Sequence, residues 1–353
     1  MLEGRTYVPL VYLRPAEIIA LEELPTVTKN LIFPVIRLRP WLSSKPLSKA
    51  SDRILKALGD RRFGLDLDRL RIGHKSNETY EEFSRLFDKK NDFENYYSFV
   101  DSIPSAVPVL RSEAASEIGG EVQRAISLDR GLIIRIDVGN PTNVQLIAET
   151  CTSEKLENVV FVVDCGWQPA LLVYQAKCVE IIKSIMKVTG DFELVVAGGD
   201  FPQSGFDDKG THFLIPGEER SLVETVRKQI NEAEIVFGDW ASTRRPTLES
   251  EIRRGRPRID MPTRTGWECW RKAAAGKTYQ EMATAAVAGR KLGTESDLWG
   301  EQLIIATGQG VDPSIKSPNT AVAVRVNLHM IMQAHFDDGG RPDITDELVE
   351  GEL

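Results

Sequence analysis

Eight short runs rich in Val, Ile, Leu and Phe recur through the first two-thirds of the chain, and most are followed by a segment with helical periodicity. No other feature narrows the fold as much. Strands that are apolar on both faces belong to parallel sheets, and parallel strands need long crossover connections, usually helices. The runs are Tyr7–Tyr12, Leu31–Leu38, Phe63–Leu67, Ala106–Leu110, Gly131–Val138, Val159–Val163, Phe192–Val196 and Ile235–Gly238. Helices are expected behind several of them, at Pro15–Leu24 with Glu17 near its start, Ser112–Ser127 and Pro169–Val188. Eight such units over roughly 240 residues match the size of a (β/α)8 TIM-like barrel. An open doubly wound sheet is the alternative, because periodicity alone does not separate a closed sheet from an open one.

A chain of 353 residues has room for such a barrel and a smaller second part. The alternation stops near Ser242, where TRRPTLESEIRRGRPRIDMPTRTG gathers Arg, Pro and Gly with no periodic apolar run. The expected organisation is a barrel over residues 1–242, an Arg/Pro-rich joint over 243–266, a helical C-terminal appendage over 267–336 and an acidic tail over 337–353. Within the appendage, Trp267–Ala274, Tyr279–Leu292 and Asn319–Phe336 read as helices rich in Ala, Lys, Arg and Glu.

The formal net charge of −8 disfavours attraction of the whole surface to phosphate backbones or anionic lipid, while leaving room for a local basic patch. The four cysteines, Cys151, Cys165, Cys178 and Cys269, show neither C-x-x-C pairing nor a disulfide-framework spacing, so reduced thiols without structural zinc are expected. The opening MLEGRTYVPLVYL lacks the basic-then-apolar profile of a signal peptide, and no stretch approaches about 18 uninterrupted apolar residues. A cytoplasmic protein with no membrane association is the expectation.

Charged residues collect where the strands end. Alternate strand residues face one side, so Arg37 with Arg39, Asp66 with Asp68, and Arg135 with Asp137 form same-face pairs, while Arg111, Asp164, Asp200 and Asp239 follow other strands. Barrels and doubly wound sheets both bind ligands at these carboxyl ends. Asp66, Asp68, Asp137 and Asp164 would suit a divalent cation and serve as catalytic ligands in phosphoester chemistry, with Arg37, Arg111 and Arg135 stabilising developing charge. Arg37, Arg39, Arg111, Arg135, Asp200 and Asp239 are equally candidates for a binding pocket without chemistry. The structural alternative is that these Arg and Asp residues pair with one another across the open end of a barrel. No H-E-x-x-H, G-x-S-x-G, Walker or G-x-G-x-x-G pattern decides between them. Histidine adds little: His74 and His212 lie in polar segments, and His329 and His335 are not on one helical face.

Arg253, Arg254, Gly255, Arg256, Pro257 and Arg258 spell R-R-G-R-P-R, near the Gly-Arg-Pro core that lays guanidiniums into a narrow minor groove. The competing reading is a solvated loop whose arginines pair with Glu249, Glu251 and Asp260. Trp267 and Trp270, beside Arg271 and Lys272, would stack on bases or, more commonly, pack in a core.

The order of several motifs resembles the Beta protein family of temperate phages and bacterial mobile elements. YVPLVYLRPAEIIALEEL, with Tyr7, Pro9, Glu17 and Leu21, is similar to the family's opening. GDFP, with Asp200 and Pro202, FGDWASTRRP from Phe237 to Pro246, and Trp299-Gly300 follow in family order. In VNLHMIMQAH the family tends to carry a His-His pair, where this chain has Leu328 before a single His329. The resemblance implies phage exclusion and defence loci, sometimes beside a gene for a toxic partner. Three functions are therefore carried forward: antiphage defence or toxin restraint through a protein partner from the same locus, a metal-dependent phosphodiester or nucleotide hydrolase, and a DNA-binding accessory.

Overall fold

The computed structural model describes residues 1–41, 46–69, 77–112, 114–199, 201–202, 210–244, 257–271, 278–293 and 296–343. It divides into two compact units: Met1–Leu13, Phe33–Asp200 and Glu219–Trp240 form the first, and Arg14–Ile32, Phe201–Glu218 and Ala241–Leu353 the second.

The first unit is a barrel-shaped sheet of eight parallel strands. In chain order these are β1 (Tyr7–Tyr12), β2 (Val35–Leu38), β3 (Phe63–Leu67), β4 (Ala106–Pro108), β5 (Leu132–Asp137), β6 (Val159–Trp167), β7 (Phe192–Gly199) and, after one strand of the second unit, β9 (Ile235–Asp239). Their order in the sheet is β4-β3-β2-β1-β9-β7-β6-β5. The two ends of this sheet meet, since Val109, just past β4, bridges Ile133 of β5 in parallel and Leu110 N–H donates to the Ile133 carbonyl at 2.8 Å. All eight apolar runs are thus strands, and the TIM-like barrel rather than the open sheet is the fold.

Alternation along each strand divides its side chains between the barrel interior and the surrounding helices. Val8, Leu10, Val35, Val107, Val109, Ile133, Val160, Val162, Val195 and Ala197 fill the interior and are essentially inaccessible. Gly64 takes part by omission, because a Cβ there would collide with Ile133 Cδ1. The helices of this unit are α3 (Ser48–Leu58), α4 (Glu78–Arg85), α5 (Lys90–Asp101), α6 (Ala115–Leu128), α7 (Val144–Ser153), α8 (Gln175–Met186) and α9 (Glu219–Gln229). In α3 the buried residues Ala50, Ile54, Ala57 and Leu58 keep the spacing of one helical stripe, the pattern that docks a helix on a sheet.

The second unit holds α1 (Pro15–Glu22) and α2 (Thr26–Leu31), then β8 (His212–Pro216), β10 (Arg258–Thr263) and β11 (Gly266–Arg271), and α10 (Tyr279–Arg290), α11 (Trp299–Gln309) and α12 (Pro318–Ala334). Residues 14–32 and 201–218 therefore pack with C-terminal residues rather than within the barrel, so the division is not a single cut at Ser242. Asn327 of α12 donates its amide to the carbonyls of Ala20 (3.0 Å) and Glu23 (3.1 Å), which ties the end of α1 to α12.

The expected helix at Trp267–Ala274 is a strand over its described residues, Trp267 to Arg271, and the rest of it lies outside the described residues. Residues 266–271 form the centre of an antiparallel sheet ordered β10-β11-β8. Thr263 pairs with Gly266, which leaves Arg264 and Thr265 as a two-residue hairpin loop, and Gly266 sits at φ 140°, open to glycine alone. Aromatic residues at i and i+3 satisfy both a helical face and a two-sided strand, and the Thr-Arg-Thr-Gly turn settles which is formed. Trp267 is buried in a cluster with Phe201, Ile215 and Cys269, so it serves the core. None of the described helices is long and apolar enough to cross a membrane.

Candidate functional site

The inward residues nearest the carboxyl ends of the barrel strands are polar. Asp66 on β3 is buried, and its Oδ1 accepts from Arg111 Nη1 at 2.6 Å and from Leu67 N–H at 2.7 Å. Its Oδ2 lies 3.2 Å from Arg135 Nε and 3.2 Å from Arg37 Nε. Parallel register places Arg37 directly beside Asp66, so this contact follows from the β2–β3 pairing itself. Arg135 of β5 extends the network by donating from Nη1 to Asp164 Oδ2 at 3.1 Å. Asp164 Oδ1 in turn accepts from Trp240 Nε1 at 2.9 Å and Gly166 N–H at 2.8 Å.

Aromatic rings hold the guanidiniums in place. Arg37 donates to the Tyr12 hydroxyl at 2.8 Å and lies 5.2 Å from the Tyr12 ring and 5.7 Å from the Trp240 ring. Arg111 sits 5.2 Å from the Tyr96 ring and 5.7 Å from that of Phe87. Such contacts suit the weakly hydrated, planar guanidinium group better than an ammonium. Tyr12, Trp240 and Trp167 form a stack, with 3.9 Å between the two indole centroids.

Electrostatics follows from this crowding. Burial pushes the Asp66 carboxyl up, but Arg135, Arg37 and Arg111 outweigh it and hold the group well below the usual carboxylate range. Burial alone would lower Arg135, and Asp66 and Asp164 reverse that and raise it. Asp66 and Arg135 are both charged at neutral pH. Glu121 of α6 behaves oppositely: burial pushes it up to about 7, although the N–H groups of Arg111 and Ser112 each donate to it at 2.7 Å. The Tyr97 hydroxyl also donates to Glu121, at 3.1 Å. Glu121 thereby holds the backbone that presents Arg111.

Beside this network lies a cleft of about 470 Å³, lined by Asp66, Arg111 and Arg135 together with Arg69, Lys89 and Asp137. Among the described residues, four cationic and two anionic side chains thus face it. Arg69 donates to the Arg111 carbonyl at 2.7 Å, and Lys89 reaches Glu117 at 2.8 Å. Phe93 also lines the cleft, in the left-handed region at φ 57° between Asp92 and the rest of α5, a conformation that costs a non-glycine residue on the order of 1–3 kcal/mol.

Of the candidates read from the sequence, Arg37, Asp66, Arg111, Arg135 and Asp164 converge. Asp137 lines the cleft but is exposed, with its carboxylate accepting from Gly139 N–H at 2.8 Å. Asp68 is fully buried just past β3, and Arg39 is half-buried just past β2. Asp239 lies elsewhere, buried and accepting from the Tyr7 hydroxyl, whose pKa burial and Asp239 raise well above normal. Asp200, Arg253, Arg254 and Arg256 fall outside the described residues, whereas Arg258 begins β10 and pairs with Asp260 at 2.6 Å. Among the described residues no group of three or more His, Cys, Asp or Glu is placed to hold a metal. The oxygens of Asp66 and Asp164 are engaged by guanidinium, indole and amide donors.

Sequence reasoning missed Arg69, Lys89, Glu121 and Trp240. Glu121 carried a signal, since it falls on the stripe of α6 occupied by Ile118, Val122 and Ala125. Trp240 lies two residues past the inward Gly238 and faces inward by the same alternation.

A family model described as Beta protein matches residues 7–335. Protein beta of Enterobacteria phage P4 is similar to the chain, 22% identical over 346 residues that cover 95% of each. The match therefore takes in both compact units, and the chain belongs to the Beta protein family.

Proposed function

We propose that the barrel mouth recognises a small phosphate-bearing ligand without a metal ion. One observation carries this reading: among the described residues, four cationic side chains, Arg69, Lys89, Arg111 and Arg135, face one cleft against two carboxylates, Asp66 and Asp137. A surplus of two positive charges suits a phosphate monoester, which carries nearly two negative charges at neutral pH. Arg111 and Arg135 are preorganised by Asp66 and by neighbouring rings, so little side-chain entropy is lost when an anion arrives. Metal-dependent hydrolysis by Asp66, Asp68, Asp137 and Asp164 is the weaker reading, because the guanidiniums occupy the space where a cation would sit.

Calorimetric titration with inorganic pyrophosphate and with phosphate monoesters, in the presence of EDTA, tests the proposal. Binding is expected to persist in EDTA and to weaken about tenfold or more in Arg69→Gln/Lys89→Gln, a loss of about 1.4 kcal/mol per decade. Folded protein that binds none of these anions, or binds them only with a divalent cation, would overturn it.

A second reading, a protein partner in antiphage defence or toxin restraint, draws support from a surface feature of the same unit. A groove of about 460 Å³ between α7 and α8 carries exposed Leu146, and Val173 just before α8 is 72% exposed. Large exposed aliphatic groups of this kind favour contact with another apolar surface. Co-expression with the neighbouring gene products, followed by size measurement of wild type and Leu146→Glu/Val173→Glu, checks it. A complex lost in the variant supports the reading, and no complex in the wild type removes it.

A further inference from the structure

Two thiols meet in the first unit. Cys165 lies near the end of β6 and Cys178 in the first turn of α8, 13 residues further along the chain, and their sulfurs are 3.4 Å apart. Both are buried and free. The S–H···S hydrogen bond between them, together with burial, raises the Cys165 thiol well above its ordinary value. A disulfide holds its sulfurs roughly 2.0 Å apart, so the pair needs a further approach of about 1.4 Å, within the reach of side-chain rotation.

What covers the pair is slight. From Gly166, at φ 65°, and Trp167 at the end of β6, the chain reaches α8 through a single 3-10 turn, Leu171–Tyr174. Leu171 is the buried residue of that turn. A Cβ on Gly198 of β7 would collide with Leu171 Cδ2 and stand 3.5 Å from Cys165 Cβ, so the bare glycine lets Leu171 settle beside Cys165. On the outer side of the turn Leu172 is exposed and Val173 more so. A short 3-10 turn has poorer hydrogen-bond geometry than an α-helix, and it opens locally at lower cost than the barrel strands behind it. Such an opening admits a small uncharged oxidant to the sulfurs.

We propose that Cys165 and Cys178 are an oxidation site that hydrogen peroxide closes into a reversible disulfide, stapling α8 to β6. The thiolate of one cysteine attacks a peroxide oxygen and the O–O bond breaks. The hydroxide released takes up that thiol's proton, which leaves a sulfenic acid and one water. The second sulfur then attacks the sulfenic sulfur, the S–O bond breaks, and the oxygen departs as water with the second thiol's proton. Two electrons pass from the thiols to peroxide, so that two Cys–SH and one H2O2 become one S–S bond and two H2O. Nearness decides the second step: a sulfenic acid with a thiol 3.4 Å away condenses before another peroxide carries it on to sulfinic acid. Cys151 on α7 and Cys269 on β11 are buried as well, and they serve as internal comparisons. Burial pushes Cys151 up to about 12, and burial followed by Asp260 raises Cys269. The oxidised pair closes a loop over residues 166–177 and removes freedom from the segment that carries Val173.

The test treats the reduced, folded full chain with hydrogen peroxide at a concentration that oxidises the thiols of the urea-unfolded chain. The protein is then unfolded in N-ethylmaleimide and its thiols are mapped by mass spectrometry. The expected product is a peptide pair joined through Cys165 and Cys178 and two hydrogens lighter than the reduced pair. Cys151 and Cys269 should be alkylated, and dithiothreitol should restore all four thiols. Hydrogen exchange across residues 166–177 should slow about tenfold on oxidation. In Cys178→Ala no joined peptide should form, and exchange in that segment should no longer respond to peroxide. Folded wild type that keeps both thiols, or that carries them to sulfinic acid without a cross-link, overturns the site. So does a wild type that joins Cys165 to Cys178 no faster than it oxidises Cys151 and Cys269. These wild-type outcomes decide the matter even where Cys178→Ala does not fold.

Discussion

Each unit gathers guanidiniums around one buried carboxylate, Asp66 in the barrel and Asp260 in the second unit, but the two surroundings meet that positive charge differently. In the barrel, Arg37, Arg111 and Arg135 share two carboxylates, because Asp164 takes the far side of Arg135. All five residues come from or just past parallel strands whose register fixes their spacing. In the second unit, Arg258 and Arg325 come from a strand and a helix, and both meet Asp260. A network close to balance is complete in itself and can serve as a scaffold, holding Arg111 and Arg135 ready for a ligand that Arg69 and Lys89 also meet.

The largest expected effect separates the two carboxylates. Asp66→Asn removes the one carboxylate that three guanidiniums share, and breaking a buried pair from one side costs about 3–5 kcal/mol. Urea unfolding should show a loss of that size, with no recovery when pyrophosphate is added at moderate concentration. Asp260→Asn should also destabilise, but by less, since among the described residues two guanidiniums rather than three pair with that carboxylate. If the two variants lose stability equally, the contrast between the two carboxylates fails.

How far the sequence anticipates this contrast depends on the element. Barrel strands such as Val159–Val163 were legible because parallel strands covered on both faces are apolar without interruption. The charged ends were legible by alternation, which placed Arg37 and Asp66 on inward faces. Which carboxylate ends up buried was not: Asp66 and Asp137 both lie near the carboxyl ends of their strands, and the pairing of Arg111 with Asp66 joins residues 45 apart in sequence. Arg325 and Glu121 were both visible as charges on otherwise apolar helical faces, a pattern that marks burial but names no partner. The Trp267–Ala274 segment was misread because i, i+3 aromatics do not distinguish helix from strand, and the hairpin turn before it carried the deciding information.

A smaller effect tests the backbone support behind Arg111. Glu121 has a folded pKa of about 7 against 4.5 for a free glutamate, so the folded state favours its protonated form. A raised carboxyl pKa adds stability that is fully present below about pH 4.5 and is lost as pH rises to about 7, on the order of 3 kcal/mol in all. Asp66 has the opposite sign, its contribution being present above its unfolded value and lost as acid protonates it. Wild type should therefore weaken between pH 5 and 7, and Glu121→Gln should flatten that limb while leaving acid unfolding in place. A Glu121→Gln profile that still falls across this range would place the titrating group elsewhere.

The smallest effect on stability sharpens the comparison most. Lys89 is largely exposed and pairs with Glu117 on the surface, so Lys89→Gln should cost no more than about 0.5 kcal/mol in unfolding experiments. The same substitution removes one of the four cations that face the cleft among the described residues, and is expected to weaken pyrophosphate at the barrel mouth about tenfold. A scaffold and its ligand contacts are separable only if affinity moves without stability in this way. Should Lys89→Gln leave affinity intact, the ligand would have to be held by Arg69, Arg111 and Arg135, and the barrel network would act as a receptor rather than a support.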